Sequence, residues 1–365
     1  MFVLFLSEPP SINPHYARVR HASEVWLSKQ CSFDEPARRI LFKTDFSYFC
    51  AVCVPHAAED ELRTVCDWGN WVFPFDDMFD NGGLKDDPRR AEEVIGRLLA
   101  GMGVGESNSG LEEMNELVRV HNSVWQRIAT TSSIGICLRF SKAMRAYCTG
   151  TLAQVRNCSQ GEYPSISEML NLRRQSSGVS PLFALIEYAH KLALPDYIFE
   201  SESIQEIERI GIDLVLLFVT SSSYLQIIPS NPAQQPPRQN DILSYSKEEK
   251  ENVTHNMIAI CRHAGMPAQL AFDHINDMLL ACYRDWYRAL AGLPSWGERV
   301  DADVQRYIRG VQNVVQANLN WSFRSGRYFG EDKDRVRKEG VVVVRAQKGD
   351  VEGYSFSLSS MGVMG

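Results

Sequence analysis

The stretch Arg89-Arg-Ala-Glu-Glu-Val-Ile-Gly-Arg-Leu-Leu-Ala100 follows Asp86-Asp87-Pro88 and carries the pattern that repeats along most of this chain. Its apolar residues recur every three or four positions, which is the period of a helix with one buried face. The preceding aspartates and proline supply a helix start, because proline fits the first turn. The sequence therefore predicts a helix over 89–100.

The same spacing, with little sustained alternation, continues between Tyr16 and Phe323. It predicts further helices over 112–157 (broken into two near 130–133), 165–174, 182–192, 204–218, 244–263, 267–290 and 304–323. No internal repeat and no shift in composition marks a second domain before residue 330. We therefore predict an all-α protein with one helical domain over 12–330 and a short N-terminal extension over 1–11.

The last 35 residues differ from the rest of the chain. The segment 331–365 begins with a dense run of charges and ends rich in Ser and Gly, so we expect a flexible tail. Val341–Val344 is expected to add at most a lone strand with no partner.

Composition excludes several classes of protein. Of 365 residues, 44% are hydrophobic and 23% charged, which is typical of a globular chain. Lys and Arg (38) against Asp and Glu (45) give a net charge of −7, which argues against nucleic acid as a partner. The nine cysteines are few and odd in number, so we expect a reducing compartment rather than a disulfide framework. The Cys50-Ala-Val-Cys53 pair is interpreted as a buried helical face rather than a metal site.

The N-terminal run Met1-Phe-Val-Leu-Phe-Leu6 is too short for a signal sequence or a membrane span. No later stretch of 18 residues is apolar and uncharged. We therefore expect a soluble cytoplasmic protein with no membrane span.

Three aspartates end an aromatic run in Trp71-Val-Phe-Pro-Phe-Asp76-Asp77-Met-Phe-Asp80. On a helix, Asp76 and Asp80 lie one turn apart on one face with Asp77 beside them, so their charges repel. Mg²⁺ offsets such repulsion, because it prefers carboxylate oxygens and retains water and substrate phosphates in its shell. The alternative is a solvated acidic helix end before Gly82-Gly83, although its aromatic flank is unusual for a solvated face.

A second set of oxygen-bearing side chains lies in Asn240-Asp-Ile-Leu-Ser244-Tyr-Ser-Lys-Glu248. On a helix, Asn240, Ser244 and Glu248 fall at i, i+4 and i+8, which aligns an amide oxygen, a hydroxyl and a carboxylate. The triplet is either a second metal site or an ordinary exposed polar face.

Arginines stand beside turn or aromatic residues at two further places, Leu172-Arg-Arg174-Gln-Ser-Ser177-Gly178 and Trp321-Ser-Phe-Arg-Ser-Gly-Arg327-Tyr328. Guanidinium groups bind diphosphate oxygens in bidentate fashion. Surface arginines are common, so neither place is specific by itself.

The order of the four motifs is far more specific than any one of them. In this order the sequence resembles the class I terpene synthases, and among them the fungal (basidiomycete-type) sesquiterpene cyclases. The runs that support the resemblance are Ile12-Asn-Pro-His-Tyr16, Cys66-Asp-Trp68, Phe183-Ala-Leu-Ile-Glu-Tyr188, Thr254-His-Asn-Met-Ile258 and Trp321-Ser-Phe323. The resemblance covers residues 12–330.

The resemblance implies a helical bundle around an apolar, aromatic-lined cavity whose mouth holds three Mg²⁺ ions, for which Mn²⁺ is a candidate substitute. Asp76 is implied to be the principal bridging carboxylate, with Asp77 and Asp80 in support. The remaining protein-bound ion is implied to be held by Asn240, Ser244 and Glu248.

The resemblance also implies which groups bind the diphosphate. Arg174 would sense it, and Ser177 and Gly178 match the positions of a helix break that follows this arginine. The residues implied to close over the diphosphate or reach its oxygens are Lys247, Arg327 and Tyr328.

In this reading, metal ions and arginines stabilise the leaving diphosphate, and closure excludes water from the allylic cation that forms. Aromatic faces stabilise that cation. Phe73 and Trp321 are the candidates for lining the cavity, although ordinary core positions are the alternative for both.

The chain departs from the family pattern in three respects. Met169 stands where tyrosine is common, and Arg324 where an acidic residue is common. Arg174 and Asn240 are 66 positions apart, which is 21 more than the pattern predicts. Removing Val219–Gln239, a proline-rich run of 21 residues, joins Phe218 to Asn240 in one helical register.

We hypothesise that this segment is a translated, unspliced intron. Valine codons begin with GT and glutamine codons include CAG, which supply the expected splice-site dinucleotides. The alternative is a genuine surface loop, in which case Asn240 becomes a candidate helix N-cap rather than a metal ligand.

The sequence therefore predicts a Mg²⁺-dependent sesquiterpene synthase that ionises farnesyl diphosphate, cyclises the allylic cation and releases diphosphate. Geranyl diphosphate is a second candidate substrate. The alternatives are a synthase of linear alcohols of the nerolidol or linalool type, or an impaired prenyl-diphosphate-binding homologue if the insert displaces Asn240. A chain-elongating enzyme is disfavoured, because that chemistry uses two aspartate-rich motifs. Both a monomer and a homodimer are compatible with the sequence.

Overall fold

A computed structural model describes residues 5–80, 82–103, 115–160, 164–217, 256–325, 334, 341–342 and 356–357. After a 3₁₀ turn at Phe5–Ser7, the described helices are α1 (Tyr16–Gln30), α2 (Glu35–Thr44), α3 (Phe46–Cys53), α4 (Glu59–Asp80), α5 (Pro88–Gly101), α6 (Glu116–Thr131), α7 (Ile134–Gln160), α8 (Ile166–Ser176), α9 (Val179–Ala189), α10 (Asp196–Glu200), α11 (Glu202–Leu217), α12 (Met257–His263), α13 (Ala268–Ala291) and α14 (Glu298–Arg324). The predicted all-α class is confirmed.

The predicted helices are found wherever the structure describes them. In α5 the Asp87 side chain accepts a hydrogen bond from the Arg90 amide, and Pro88 occupies the first turn. The predicted break near 130–133 separates α6 from α7. Of the helix predicted over 244–263, only the part from Met257 lies among the described residues, as α12.

α14 begins at Glu298, six residues earlier than predicted. Its first turn holds three charged residues and one apolar residue, Val300, so the helical pattern is weaker there than in the rest of the helix. Asp301 stabilises this end, since its carboxylate accepts hydrogen bonds from the Trp296 amide at 2.7 Å and the Ser295 hydroxyl at 2.6 Å.

α4 continues past Pro74 to Asp80, although proline inside a helix removes one backbone hydrogen bond. Its aromatic side chains Trp68, Trp71 and Phe75 are fully buried. Asp76 and Asp80 consequently lie on a formed helix, one turn apart, as the motif predicts.

The core of the bundle surrounds α3, whose eight residues are all buried. Cys50 and Cys53 are both on this helix, and burial raises the pKa of the Cys53 thiol well above its usual range. The interpretation of this pair as a buried helical face is confirmed. The eight cysteines that the structure describes form no disulfide.

The two ends of the chain differ from expectation. Phe5 falls within the predicted N-terminal extension, but its ring is buried against Tyr283 and Trp286, with centroids 6.3 and 5.7 Å away. The expectation of a lone strand in the tail is wrong. β1 (Val341–Val342) pairs antiparallel with β2 (Phe356–Ser357), a partner too short to show an alternating pattern.

None of the described helices is both long enough and apolar enough to cross a membrane.

Candidate active site

Two carboxylates of α4 face α7. Asp76 accepts a hydrogen bond from the Tyr147 hydroxyl, and Gln154 Nε2 donates to Asp80 Oδ1 at 2.6 Å. Tyr147 and Gln154 lie two turns apart on the same face of α7. Burial, followed by the charge of Asp76, raises the pKa of Tyr147 well above its ordinary value. The phenol therefore remains protonated and donates to the carboxylate.

Asp77 lies on a different side of α4. It lines a largely apolar groove of about 350 Å³ between α2 and α4, together with Phe73, Pro74 and Met78. Of the three aspartates in the motif, the structure therefore brings Asp76 and Asp80 to α7 and Asp77 to the groove.

Ser177 and Gly178 separate α8 from α9, at the place where the family resemblance implies a helix break. Gly178 has φ +70°, in the left-handed region that glycine adopts most readily. A Cβ atom at this position would lie 3.5 Å from Val72 and 3.8 Å from Tyr147. The break thus packs against the same part of α4 and α7 that holds Asp76.

A close helix contact brings the end of α8 to this place. A Cβ atom on Gly150 of α7 would lie 2.6 Å from the backbone nitrogen of Ser176, closer than side chains tolerate. Glycine at this position therefore allows α7 to approach the last residue of α8.

Arg174, in the last turn of α8, is held by α11. Its Nε and Nη2 donate to the two carboxylate oxygens of Asp213 at 2.7 and 2.8 Å, and its Nη1 donates to Asn171 at 2.6 Å. Asp213 is buried and also accepts from Arg209 Nη1 at 2.6 Å. Two arginines therefore neutralise one buried carboxylate.

The Ser177 hydroxyl is buried beside this arginine, and no hydrogen-bond partner for its oxygen is found in the described part of the chain. A buried hydroxyl without a partner is uncommon in a folded protein and indicates a place where a ligand or water binds. Residues 174–178 thus offer both a cation and a polar side chain.

Sequence reasoning missed four residues of this site: Tyr147, Gly150, Gln154 and Asp213. The signal for the first three was available, because they recur at i, i+3 and i+7 on one face of a helix that was predicted. Nothing in the sequence marked Asp213 as the partner of an arginine 39 positions away.

The family model for terpene synthase family 2, C-terminal metal binding, matches residues 67–219 and 238–285, which is more than half of the chain and includes both candidate metal motifs. The chain belongs to this family. It is an enzyme of the terpene synthase class, and its family is a metal-binding one.

Curated relatives align with this chain over almost its whole length. The silphinene synthase peniA of Penicillium patulum is 35% identical over 94% of this chain and 88% of its own length. Terpene cyclase 4 of Gibberella fujikuroi is 34% identical, with the same two coverages. The (+)-eremophilene synthase of the same fungus is 33% identical over 90% of this chain and 87% of its own.

Solved structures share the fold of this terpene synthase at lower identity. An α-eudesmol synthase superimposes with a TM-score of 0.73 at 19% identity, over 89% of this chain and 99% of that one. A linalool/nerolidol synthase from Streptomyces clavuligerus gives 0.71 at 20% identity, over 85% and 99%. The predicted class I terpene synthase bundle is therefore confirmed as the fold.

The two aromatic residues predicted to line the cavity lie side by side in this terpene synthase. Trp321 is buried and stacks on the partly buried Phe73, with ring centroids 5.4 Å apart. Phe46 packs edge-on against both rings, at 4.6 Å from Phe73 and 5.1 Å from Trp321. They form one aromatic cluster beside the aspartate motif.

Met169 and Arg324, two of the departures from the family pattern, lie among the described residues. Met169 is buried in the apolar core, whereas Arg324 donates its Nε to Asp45 at 3.1 Å.

The other predicted site residues are Asn240, Ser244, Lys247, Glu248, Arg327 and Tyr328, and they lie outside the described residues. Among the residues that are described, no group of three or more His, Cys, Asp or Glu side chains is arranged to hold a metal ion. Asp76 and Asp80 therefore supply two carboxylates of the kind that hard divalent cations prefer, and a complete ligand set requires further donors.

Proposed function

We propose that this terpene synthase is a Mg²⁺-dependent sesquiterpene synthase that ionises farnesyl diphosphate, cyclises the resulting cation and releases diphosphate. The observation that carries the proposal is the placement of Asp76 and Asp80 against the same helix, α7, that contacts the Arg174 to Gly178 break. Acidic and basic groups then face one diphosphate from two sides.

The donor set fits magnesium, because the side chains offered by α4 are carboxylates. Asp76 and Asp80 would hold metal ions on this side, with Asp77 in support, and Asn240, Ser244 and Glu248 would hold another. The bound ions would neutralise charge on the leaving diphosphate. We propose three such ions, with Mn²⁺ able to substitute.

Arg174 has donors left for a substrate. A guanidinium carries five N–H groups, and the bonds to Asp213 and Asn171 use three of them. Two N–H groups on Nη1 and Nη2 are then available for diphosphate oxygens. Because Asp213 fixes the plane of the guanidinium, these donors point in a defined direction before substrate arrives.

The Ser177 hydroxyl supports the same assignment. It is buried at the helix break, next to the arginine, and a diphosphate oxygen would satisfy it. Lys247, Arg327 and Tyr328 are proposed to add contacts when the site closes and excludes water.

The hydrocarbon part of the substrate requires an apolar wall that also stabilises positive charge. Phe73 and Trp321 provide stacked rings on the side of α4 that carries Asp77, and each aromatic face contributes about 1 to 2 kcal/mol of cation–π attraction when desolvated. Cyclisation is proposed over release of a linear alcohol, because one of the most similar relatives is named a terpene cyclase.

The test is to incubate the purified protein with farnesyl or geranyl diphosphate and Mg²⁺, to quantify released diphosphate and to identify volatiles by gas chromatography and mass spectrometry. We expect a cyclic C15 product that disappears when the metal is chelated and returns with Mg²⁺ or Mn²⁺. Asp76→Asn should reduce diphosphate release by roughly 100-fold or more.

Asp77→Asn is the comparison variant, because Asp77 lines the groove between α2 and α4 beside Phe73, whereas Asp76 and Asp80 face α7. It should retain more activity than Asp80→Asn. Folded protein that releases no diphosphate from either substrate would refute the proposal, and a linear alcohol as the main product would support the nerolidol-type alternative.

A further inference from the structure

A cluster of charged and aromatic side chains joins the C-terminal end of α14 to the junction between α2 and α3. We call it the Asp45 cluster and define it as Tyr16, Arg20, Asp45 and Arg324. Asp45 is buried and accepts from the Tyr16 hydroxyl at 2.7 Å, from Arg20 Nη1 at 3.0 Å and from Arg324 Nε at 3.1 Å. Three elements of the fold therefore meet on one carboxylate.

The backbone at Asp45 is unusual. Asp45 has φ +48°, in the left-handed region that residues other than glycine seldom adopt. It is both the C-cap residue of α2 and the N-cap residue of α3. Such a conformation persists where its surroundings hold it in place. The hydrogen bonds of the Asp45 cluster are those surroundings.

Arg324, the last residue of α14, makes more than one contact in the cluster. Its guanidinium lies over the Tyr48 ring at 4.4 Å from the centroid, and its Nη2 is 3.2 Å from the Tyr16 hydroxyl. A planar guanidinium can lie flat on a ring while its edge forms an ion pair, whereas a compact ammonium has no flat face to stack.

One turn earlier on α14, Trp321 is tied to the neighbouring residue of the same junction. Its Nε1 donates to the Thr44 carbonyl oxygen at 2.7 Å. Residues 321 and 324 of α14 therefore bind residues 44 and 45, and a shift of one pair moves the other. Since Trp321 stacks on Phe73, the orientation of the aromatic cluster depends on this junction.

The junction between α2 and α3 keeps other contacts when Arg324 is lost. Arg20 also pairs with Asp45 and donates Nη2 to the Phe42 carbonyl oxygen at 2.8 Å. Arg20 also donates Nε to the buried Glu24 at 3.0 Å, so Asp45 would share its one remaining cation with a second carboxylate. The junction would keep its link to α1. The anchor that would be lost is the one between the junction and the end of α14.

We propose that Arg324 is a positioning residue that acts through Asp45 to fix the Trp321 and Phe73 wall of the catalytic cavity, and that it thereby selects the product. The inference rests on the proposed function, in which these two rings contact the carbocation. A rotated ring changes which conformer of the cation is stabilised, without changing the groups that bind diphosphate.

The test compares Arg324→Gln and Arg324→Lys with Arg309→Gln, an exposed arginine of the same helix. Arg324→Gln should keep diphosphate release within about threefold of wild type and change the ratio of minor to main terpene products at least threefold. Arg324→Lys, which keeps the charge without the planar fork, should give an intermediate ratio. Arg309→Gln should give the wild-type ratio.

A second readout does not depend on turnover. Hydrogen–deuterium exchange of the peptide over 315–325 should be at least threefold faster in Arg324→Gln than in wild type or Arg309→Gln. Asp45→Asn should change the product ratio at least as far as Arg324→Gln, because it weakens the same pair and also the bonds from Tyr16 and Arg20.

Faster exchange with an unchanged product ratio would overturn the role in product selection, and unchanged exchange would overturn the anchor itself. If Arg324→Gln does not fold, the ratio given by the folded Arg324→Lys decides in the same way. Absence of diphosphate release by the wild type would instead refute the proposed function, and the exchange measurement keeps these two failures apart.

Discussion

Arg174 and Asp213 form a two-point ion pair between α8 and α11, with both carboxylate oxygens accepting from one guanidinium. The pair connects the residue proposed to bind diphosphate to the neighbouring helix α11. Because Asp213 is buried, this orientation is part of the fold and is in place before substrate binds.

Asp213→Asn should impair catalysis more than it impairs folding. Asparagine keeps one acceptor but loses the charge, so Arg174 is no longer held at two points. Misplacement of a substrate-positioning group by about 1 Å costs roughly 100-fold in rate, and we expect kcat/KM for farnesyl diphosphate to fall by about that factor.

Glu206→Gln is the matched control for this prediction. It removes the other partner of Arg209, whose Nε lies 2.7 Å from Glu206, and leaves Arg174 untouched. We expect activity within about twofold of wild type. Equal losses in the two variants, measured by steady-state kinetics, would count against a positioning role for Asp213.

Tyr147→Phe should weaken the binding of Mg²⁺. The phenol donates to Asp76, which we propose as a metal ligand, and loss of a partner of such a carboxylate typically costs 10- to 100-fold in metal affinity. The Mg²⁺ concentration that gives half-maximal rate should therefore rise by roughly 10-fold or more.

Tyr307→Phe provides the comparison, because this buried tyrosine also donates to a carboxylate, that of Glu208, and belongs to a different part of the bundle. Both variants lose one buried hydrogen bond. Only Tyr147→Phe should change the Mg²⁺ titration, and the same shift in Tyr307→Phe would mean that the effect is a general loss of stability.

Gly178→Ala should slow the enzyme, because the position has φ +70° and an L-residue there is strained by about 1 to 2 kcal/mol. A methyl group at the site fits sterically, since the nearest atom is 3.5 Å away. Gly103 has the same φ at the end of α5, and no other described residue comes within 4 Å of a Cβ atom at that position. Thermal unfolding should show similar losses for Gly178→Ala and Gly103→Ala, whereas only the first should lower kcat.

His121→Phe should make the protein more resistant to acid. The imidazole is fully buried between Trp71 and Phe140, neither ring nitrogen has a hydrogen-bond partner among the described residues, and burial lowers its pKa to about 3. The unfolded chain binds a proton near pH 6.5, so between pH 6.5 and 3 the unfolded state gains protons first and stability falls as the pH falls.

Phenylalanine removes this dependence and keeps the ring contacts. Urea unfolding at pH 7, 6 and 5 should show a difference between variant and wild type that grows by about 1.4 kcal/mol for each pH unit below 6.5. The exposed His21, changed to Gln, is the control for loss of an imidazole that is not buried. A constant difference across this range would exclude a buried neutral His121.

Deletion of Val219–Gln239 should preserve or increase activity. The family match stops at residue 219 and resumes at 238, which supports the proposal that this segment is absent from the family pattern. We expect transcripts that join the codons of Phe218 and Asn240. Transcripts that all include the segment, together with loss of activity on deletion, would make it a functional loop.

Some of the site was predictable because its signals are local. The end of α4 and the break between α6 and α7 follow from spacing and turn residues. The position of Asp76 relative to Asp80 follows from helix geometry alone. These features depend on neighbours within about one or two turns, and a sequence displays those neighbours directly.

The partners of these residues were not predictable in the same way. Tyr147 is 71 positions from Asp76, and Asp45 is 279 positions from Arg324. The sequence placed all three aspartates on one acidic patch, whereas the structure turns Asp77 toward α2. The side that a residue faces is decided by which helix packs there.

The sequence by itself determined an all-α chain, an acidic motif at the end of one helix and a break after an arginine. Tertiary structure alone decided that Asp76 and Asp80 face Tyr147 and Gln154, and that Arg174 is held by Asp213. The physical reason is that periodicity fixes a side chain's angle around its own helix axis. The contacts between distant side chains depend on how whole helices pack, and close approaches such as that at Gly150 determine this packing.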